Sequence, residues 1–296
     1  MGIEYGIVGC GAVGSLVASA LAAAGQRVVM YCQRPGRARL LAREGVRVRG
    51  DGRDSLAKVE AHTISRLGVD KPRYVVLALR TGDTLKLSET VTRYAEEVVY
   101  VQPSITLSRA MREEGRGLLA LYSCAWIEEE TVVYVPGVVA ASGGAASEAA
   151  RALERLGFSS RIYLKEDRLR LLWDYAAAHA ATQPVATLLG VPLGKLSSSS
   201  YAMALVDRLA REAAMIMEAA GVKPLRPVGD AARELLRLRG CYPRMLADIE
   251  SGRETEVQYM NGALAAEGFR LDVYASYNDA VYILVKSLEQ VREVKS

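Results

Sequence analysis

The chain has 296 residues, of which 50% are hydrophobic and 24% charged, with a formal net charge of +4. That length carries two domains of ordinary size with real cores. No apolar run approaches the roughly 20 residues of a membrane helix, and the basic residues are dispersed, which argues against nucleic acid as a partner.

The first predicted strand is Tyr5-Gly6-Ile7-Val8, which runs directly into Gly9-Cys10-Gly11-Ala12-Val13-Gly14. An alanine-rich helix is predicted over residues 15–24. Strand, G-x-G-x-x-G and helix in this order form the dinucleotide fingerprint. Gly9 allows the tight turn, Gly11 lets a pyrophosphate lie against the backbone, and Gly14 lets the helix pack on the strand. The phosphates then meet the helix N-terminus. The second strand, predicted over residues 27–31, leads into Cys32-Gln33-Arg34-Pro35-Gly36-Arg37. An acid at this point would bond the ribose hydroxyls of NAD. None is present, whereas guanidinium groups suit a 2′-phosphate, so NADP(H) is the expected cofactor. The alternative is that Arg34 and Arg37 simply begin a solvated helix.

Residues 46–53 alternate and turn at Asp51-Gly52, a hairpin signal. Buried strands are predicted over residues 74–79, ending at Arg80, and 98–101, ending at Gln102-Pro103-Ser104. Loops at these strand ends face the cofactor crevice. Further strands are predicted over residues 117–126 and 131–139, with a turn at Gly143-Gly144. From about Asp167 the apolar spacing becomes helical, over residues 168–182, 201–220, 231–238, 256–267 and 276–291. Gly190 to Gly194 and the serines 197–200 are breakers, the latter a helix-capping loop. The expected architecture is α/β: an N-terminal Rossmann dinucleotide-binding domain over residues 1–166, then an all-helical substrate and dimerisation domain over 167–296. The substrate is expected in the cleft between them.

Cys10, Cys32, Cys124 and Cys241 show no C-x-x-C and no metal spacing, which favours buried thiols. One exception is Cys10 with Cys32, on the ends of adjacent strands and so within reach of a disulfide. Asn261 and Asn278 are the only asparagines, a thermophile-like scarcity beside so many charges. The N-terminus has no basic run and enters the first strand at once, so a soluble cytoplasmic protein is expected.

Two segments of the helical half are distinctive. One is Trp173-Asp174-Tyr175 continuing through His179 to Gln183-Pro184. The other is Met245-Leu246-Ala247-Asp248, Gly252-Arg253-Glu254-Thr255-Glu256 and Asn261-Gly262. With the glycine motif, they resemble the ketopantoate reductase (2-dehydropantoate 2-reductase) family along essentially the whole chain. The resemblance implies NADPH-dependent reduction of ketopantoate to pantoate, on the route to coenzyme A. It implies that Glu256 holds the substrate hydroxyl, that Asn261 and Asn278 stand at family asparagine positions, and that Arg34 and Arg80 replace basic residues near the cofactor.

Five polar positions depart from the family pattern. Tyr175 stands where the family has its catalytic lysine, and His179 and Gln183 stand where it has asparagines. Pro103 replaces an asparagine in the Gln102-Pro103-Ser104 loop, and Arg244 replaces a serine. Tyr175, His179 and Gln183 are spaced i, i+4, i+8 and share one helix face. Tyr175 and His179 are therefore the expected proton donor and carbonyl polariser. Arg244 is expected on the substrate carboxylate, with Gln183 and Asn261 also binding substrate. The alternatives are reduction of another α-keto acid or an imine, or cofactor binding without turnover.

Overall fold

The computed structural model describes residues 4–293. The chain divides into two compact units. One runs from the N-terminus to Gln102 and resumes over Arg109–Arg168; the other is Pro103–Ser108 with Leu169 onward.

The first unit is a ten-stranded sheet with helices packed on it. Its elements are β1 (Tyr5–Val8), α1 (Ala12–Ala23), β2 (Val28–Cys32), α2 (Pro35–Glu44), β3 (Val46–Gly50), β4 (Arg53–Ala57), β5 (Glu60–Thr63), α3 (Leu67–Asp70), β6 (Tyr74–Leu77), α4 (Thr81–Val91), β7 (Glu97–Tyr100), β8 (Arg116–Glu128), β9 (Thr131–Ser142), α5 (Gly144–Glu154) and β10 (Ser159–Tyr163). The strand order is β4-β3-β9-β8-β7-β6-β1-β2-β5, with β10 on β9. The stretch β8-β7-β6-β1-β2-β5 is wholly parallel, and its central strands are apolar on both faces because helices cover them. The β8–β9 and β3–β4 pairs are antiparallel. Asp51 and Gly52 both take positive φ (50° and 71°), the mirror-image turn that Asp-Gly favours between β3 and β4.

Helix α5 starts without a cap of its own. Gly143, at φ 114°, offers no side chain. Instead the carboxylate of Glu97, on β7, accepts the N–H groups of Gly144 (2.9 Å), Ala145 (3.2 Å) and Ala146 (3.2 Å). At the end of the unit, buried Arg168 donates to the carbonyls of Met111 (2.9 Å), Glu113 (2.7 Å) and Arg116, which pins the loop before β8.

The second unit is helical: α6 (Arg168–Leu189), α7 (Ser200–Ala219), α8 (Val228–Leu236), α9 (Arg244–Glu250), α10 (Asn261–Arg270) and α11 (Ser276–Glu293). The serine run caps as expected, with Ser199 Oγ accepting Ala202 N–H at 3.2 Å. Three features of this unit depart most from the sequence expectation. Helix α6 does not stop at Thr182 but continues through Pro184 to Leu189. The expected helix over residues 256–267 is a short 3-10 turn (Val257–Tyr259) followed by α10, with a break at Met260 (φ −110°, ψ −93°). There the Tyr259 carbonyl accepts the Ser104 hydroxyl at 2.6 Å. Helix α9 was not foreseen, because its seven residues are too few to show a period.

Candidate cofactor and catalytic residues

The glycine turn is held by sterics at two points and open at a third. Gly9 has φ 110°, and a Cβ there would overlap the Ala78 carbonyl. A Cβ on Gly14 would overlap the carbonyl of Gly9, so α1 packs on the turn only because both side chains are absent. Gly11 has no atom within 4 Å of where its Cβ would be, leaving an open stretch of backbone. Gly11 is also the N-cap of α1, with no side-chain cap and no acid in the first turn. The N–H groups at the start of α1, from Ala12 through Gly14, therefore present an anion-binding end. These features fit a pyrophosphate.

Cys10 and Cys32 form a disulfide, with their Cα atoms 5.2 Å apart. No described cysteine is free, so the expectation of buried thiols is overturned. The parallel pairing of β1 and β2 sets Val8 beside Tyr31, so the residues leaving each strand meet. The glycine turn is thus tied to the end of the strand that leads to Arg34. Arg34 is exposed at the N-cap of α2, with Pro35 next, and makes no ion pair among the described residues. Arg37 is paired with Glu130 of the β8–β9 hairpin. Arg80 is the N-cap of α4.

Gln102 is buried, and its side chain is used internally. Nε2 donates to the carbonyls of Leu77 (2.7 Å) and Leu79 (2.9 Å), and Oε1 accepts Val101 N–H at 3.2 Å. Any effect of Gln102 on a cofactor therefore runs through the shape of the loop it holds. Pro103 opens the short segment that belongs to the helical unit, anchored by Ser104 to Tyr259 and by Trp173 Nε1–H to Ser108 Oγ at 3.0 Å.

In the helical unit α6 brings Tyr175, His179 and Gln183 into one row. The Tyr175 and His179 rings are edge to face, centroids 4.7 Å apart, and both are buried. Gln183 Nε2 lies 2.8 Å from His179 Nδ1. In this amide orientation Nδ1 accepts, so Nε2 carries the proton and is a donor. Asp174, beside the row, is 1% exposed. Its Oδ2 accepts Leu225 N–H at 3.2 Å, and Oδ1 has no hydrogen-bond partner among the described residues. Burial pushes its carboxyl up to about 7, against the pull of Arg226. Nothing in the sequence pattern marked Asp174, since its state depends on burial.

The Met245–Glu256 segment is a clasp. Arg253 Nε–H donates to Asp248 Oδ1 (3.0 Å) and Arg253 N–H to the Asp248 carbonyl (2.8 Å), closing the turn at Gly252. Thr255 donates its N–H (2.9 Å) and hydroxyl (2.6 Å) to Glu289 of α11. Both neighbours of Glu256, Thr255 and Val257, are buried, while Glu256 itself is partly exposed. Arg244 is exposed at the start of α9, with no partner among the described residues. Asn261 is completely buried. Its Nδ2 donates to the Ala180 carbonyl (2.9 Å) and to Asn278 Oδ1 (3.0 Å), so both amide hydrogens serve the protein itself.

The open glycine turn beside a parallel sheet, followed by a helical second unit, defines the class, a Rossmann-type dinucleotide-binding protein. A family model described as ketopantoate reductase PanE/ApbA matches residues 5–135, and its C-terminal counterpart matches residues 167–289. The chain belongs to the ketopantoate reductase family, whose members are oxidoreductases acting on CH–OH and C=O groups. A 2-dehydropantoate 2-reductase from Pyrobaculum aerophilum is 33% identical over 164 residues, 54% of each chain. One from Pyrococcus abyssi is 24% identical over 98% of this chain and 99% of its own. Among solved structures, a PanE/ApbA family ketopantoate reductase from Ralstonia eutropha superposes with a TM-score of 0.81 at 19% identity, covering 98% of this chain and 99% of that one. D-mandelate dehydrogenase with NADH and anilino(oxo)acetate gives 0.83 at 18% identity, with the same coverage. At these identities the last two are likenesses of fold.

Proposed function

We propose that this protein is an NADPH-dependent reductase of a 2-keto acid, with ketopantoate the first candidate. The observation that carries the reading is the Tyr175–His179–Gln183 row, a set of hydrogen-bond donors where the family has its lysine. When bound, the dinucleotide supplies hydride. Gly9, Gly11 and Gly14 hold its pyrophosphate, and Arg34 and Arg80 favour a 2′-phosphate over a free hydroxyl.

Ketone reduction leaves an alkoxide that must be stabilised and protonated. Tyr175 Oη–H and His179 Nε2–H donate to that oxygen, and Gln183 fixes the imidazole tautomer that makes Nε2 a donor. Arg244 binds the substrate carboxylate through two N–H groups, and Glu256 orients the substrate hydroxyl. The replacement of the family lysine by Tyr175 favours a second reading, in which the substrate is a different 2-keto acid or an imine. Exposed Phe269 (90%) and Tyr274 (86%) on the helical unit support self-association as a homodimer.

The test is NADPH oxidation followed by absorbance against ketopantoate and a panel of 2-keto acids and imines, with cofactor binding measured separately by fluorescence. Turnover of at least one substrate is expected. Cofactor binding with no turnover across the panel overturns the reductase reading. Equal affinity for NADH and NADPH overturns the cofactor assignment.

A further inference from the structure

Helix α6 carries a proline in its interior, and Pro184 has no N–H to give the carbonyl four residues earlier. That carbonyl belongs to Ala180, which follows His179 directly. It is not left open, because Asn261, 81 positions further along the chain, donates Nδ2–H to it at 2.9 Å. Asn261 stands at the first residue of α10, just after the break at Met260, and is 0% exposed.

The orientation of this amide is fixed by a chain of partners. Glu212, on α7, accepts the N–H groups of Tyr277 and Asn278 at the start of α11, both at 2.9 Å. Glu212 also accepts Asn278 Nδ2–H at 2.9 Å. Asn278 therefore turns its amide nitrogen toward the carboxylate and its Oδ1 toward Asn261. With acceptors on both sides, Asn278 Oδ1 and Ala180 O, Asn261 must present its NH₂ group. Glu212, Asn278 and Asn261 are all buried. The two asparagines of this chain thus link α7, α11 and α10 to one carbonyl of α6.

We propose that Asn261 is a positioning residue: it closes the carbonyl that Pro184 leaves open and thereby holds the His179–Gln183 turn of α6 in register, with Asn278 and Glu212 fixing its orientation. Gln183, which holds His179 Nδ1, immediately precedes the proline. A change in the course of α6 at this point moves the imidazole and the amide that sets its tautomer relative to each other. The part of the inference that concerns rate rests on the reductase reading above; the part that concerns the helix does not.

The test is a double-mutant cycle on the full chain. The variants are Asn261→Ala, Pro184→Ala and the pair, with Asn261→Ser as a milder change in both backgrounds. Alanine at position 184 restores an N–H that can reach the Ala180 carbonyl. Two readouts need no substrate: melting temperature, and the titration midpoint of His179 by NMR, assignable because the chain has only two histidines. Asn261→Ala is expected to lower the melting temperature and shift the His179 midpoint, and both effects should shrink by at least about half when Pro184 is also replaced. With a turned-over substrate in hand, Asn261→Ala should also lower kcat about tenfold with little change in KM for the cofactor. Equal effects of Asn261→Ala in both backgrounds overturn the proposal. So does a lower melting temperature with an unmoved His179 midpoint. If Asn261→Ala alone does not fold, the same criteria apply to Asn261→Ser. Failure to find any substrate overturns the reductase reading and leaves the first two readouts to decide the role of Asn261.

Discussion

The ring of Tyr175 stands edge-on to the imidazole of His179, with centroids 4.7 Å apart. They lie four positions apart on α6, so the contact follows from helix geometry, and it limits the rotation of both rings. If they supply the proton, Tyr175→Phe and His179→Ala should each reduce kcat at least about tenfold, since a proton-transfer group typically contributes roughly 10²–10⁴. Steady-state kinetics on any accepted substrate check this. Full rate in both variants would mean that the proton comes from elsewhere.

Asp174 gives a pH dependence with a definite sign. Its carboxyl titrates near 7 in the folded protein and near the ordinary aspartate value when unfolded. Between about pH 4 and 7 the folded state holds a proton that the unfolded state has lost. Stability from this group is therefore complete below about pH 4 and declines as pH rises to about 7, by a few kcal/mol. Asp174→Asn should flatten that part of the profile and melt higher than the parent above pH 7. Parallel melting curves from pH 4 to 8 for the two proteins would contradict the assignment.

The Cys10–Cys32 link closes a loop with a sequence separation of 22, and such loops contribute about 3 kcal/mol in the chain-entropy model. Cys10→Ser with Cys32→Ser should lower the denaturation midpoint by a corresponding amount. It should also weaken dinucleotide binding, because the turn is then no longer tied to β2. Titration of the parent and of the double-serine variant with NADPH reads the second effect. Unchanged affinity would show that β1, α1 and their glycines shape the turn by themselves.

The two arginines after β2 should behave differently. Arg37 is already paired with Glu130, whereas Arg34 is exposed and unpaired among the described residues. Arg34→Ala should weaken NADPH binding about tenfold, the scale of a lost charge-assisted hydrogen bond, and leave NADH nearly unchanged. Arg37→Ala should have a smaller effect on both. A loss of NADH and NADPH affinity to the same extent in Arg34→Ala would show that Arg34 does not contact a 2′-phosphate.

What could be read from the sequence was local. The Gly9–Gly14 turn, the Asp51-Gly52 hairpin and the Ser199 cap each depend on residues a few positions apart, and each was foreseen. The Cys10–Cys32 bond was within reach as an exception, because two adjacent parallel strands end at the same level. The run of α6 through Pro184 was not, since the group that closes its open carbonyl is Asn261, far along the chain. The same holds for the break at Met260, where Ser104 takes the Tyr259 carbonyl, and for Asp174, whose state comes from burial by other elements. In the candidate site the family resemblance singled out Tyr175, His179 and Gln183, and their spacing put them in one row. The assignment of Asn261 as a substrate ligand came from its family position and did not anticipate that both of its amide hydrogens would be used inside the helical unit.

Helix α5 borrows the cap of its first turn from Glu97, a residue of β7. Before that strand is in place its opening N–H groups have only water as a partner, so the isolated segment lacks the cap that would favour a helix of this length. Once formed, it should open to solvent exchange together with the middle of the sheet rather than fray from its own end. The start of this helix thus depends on a strand more than forty residues earlier in the chain.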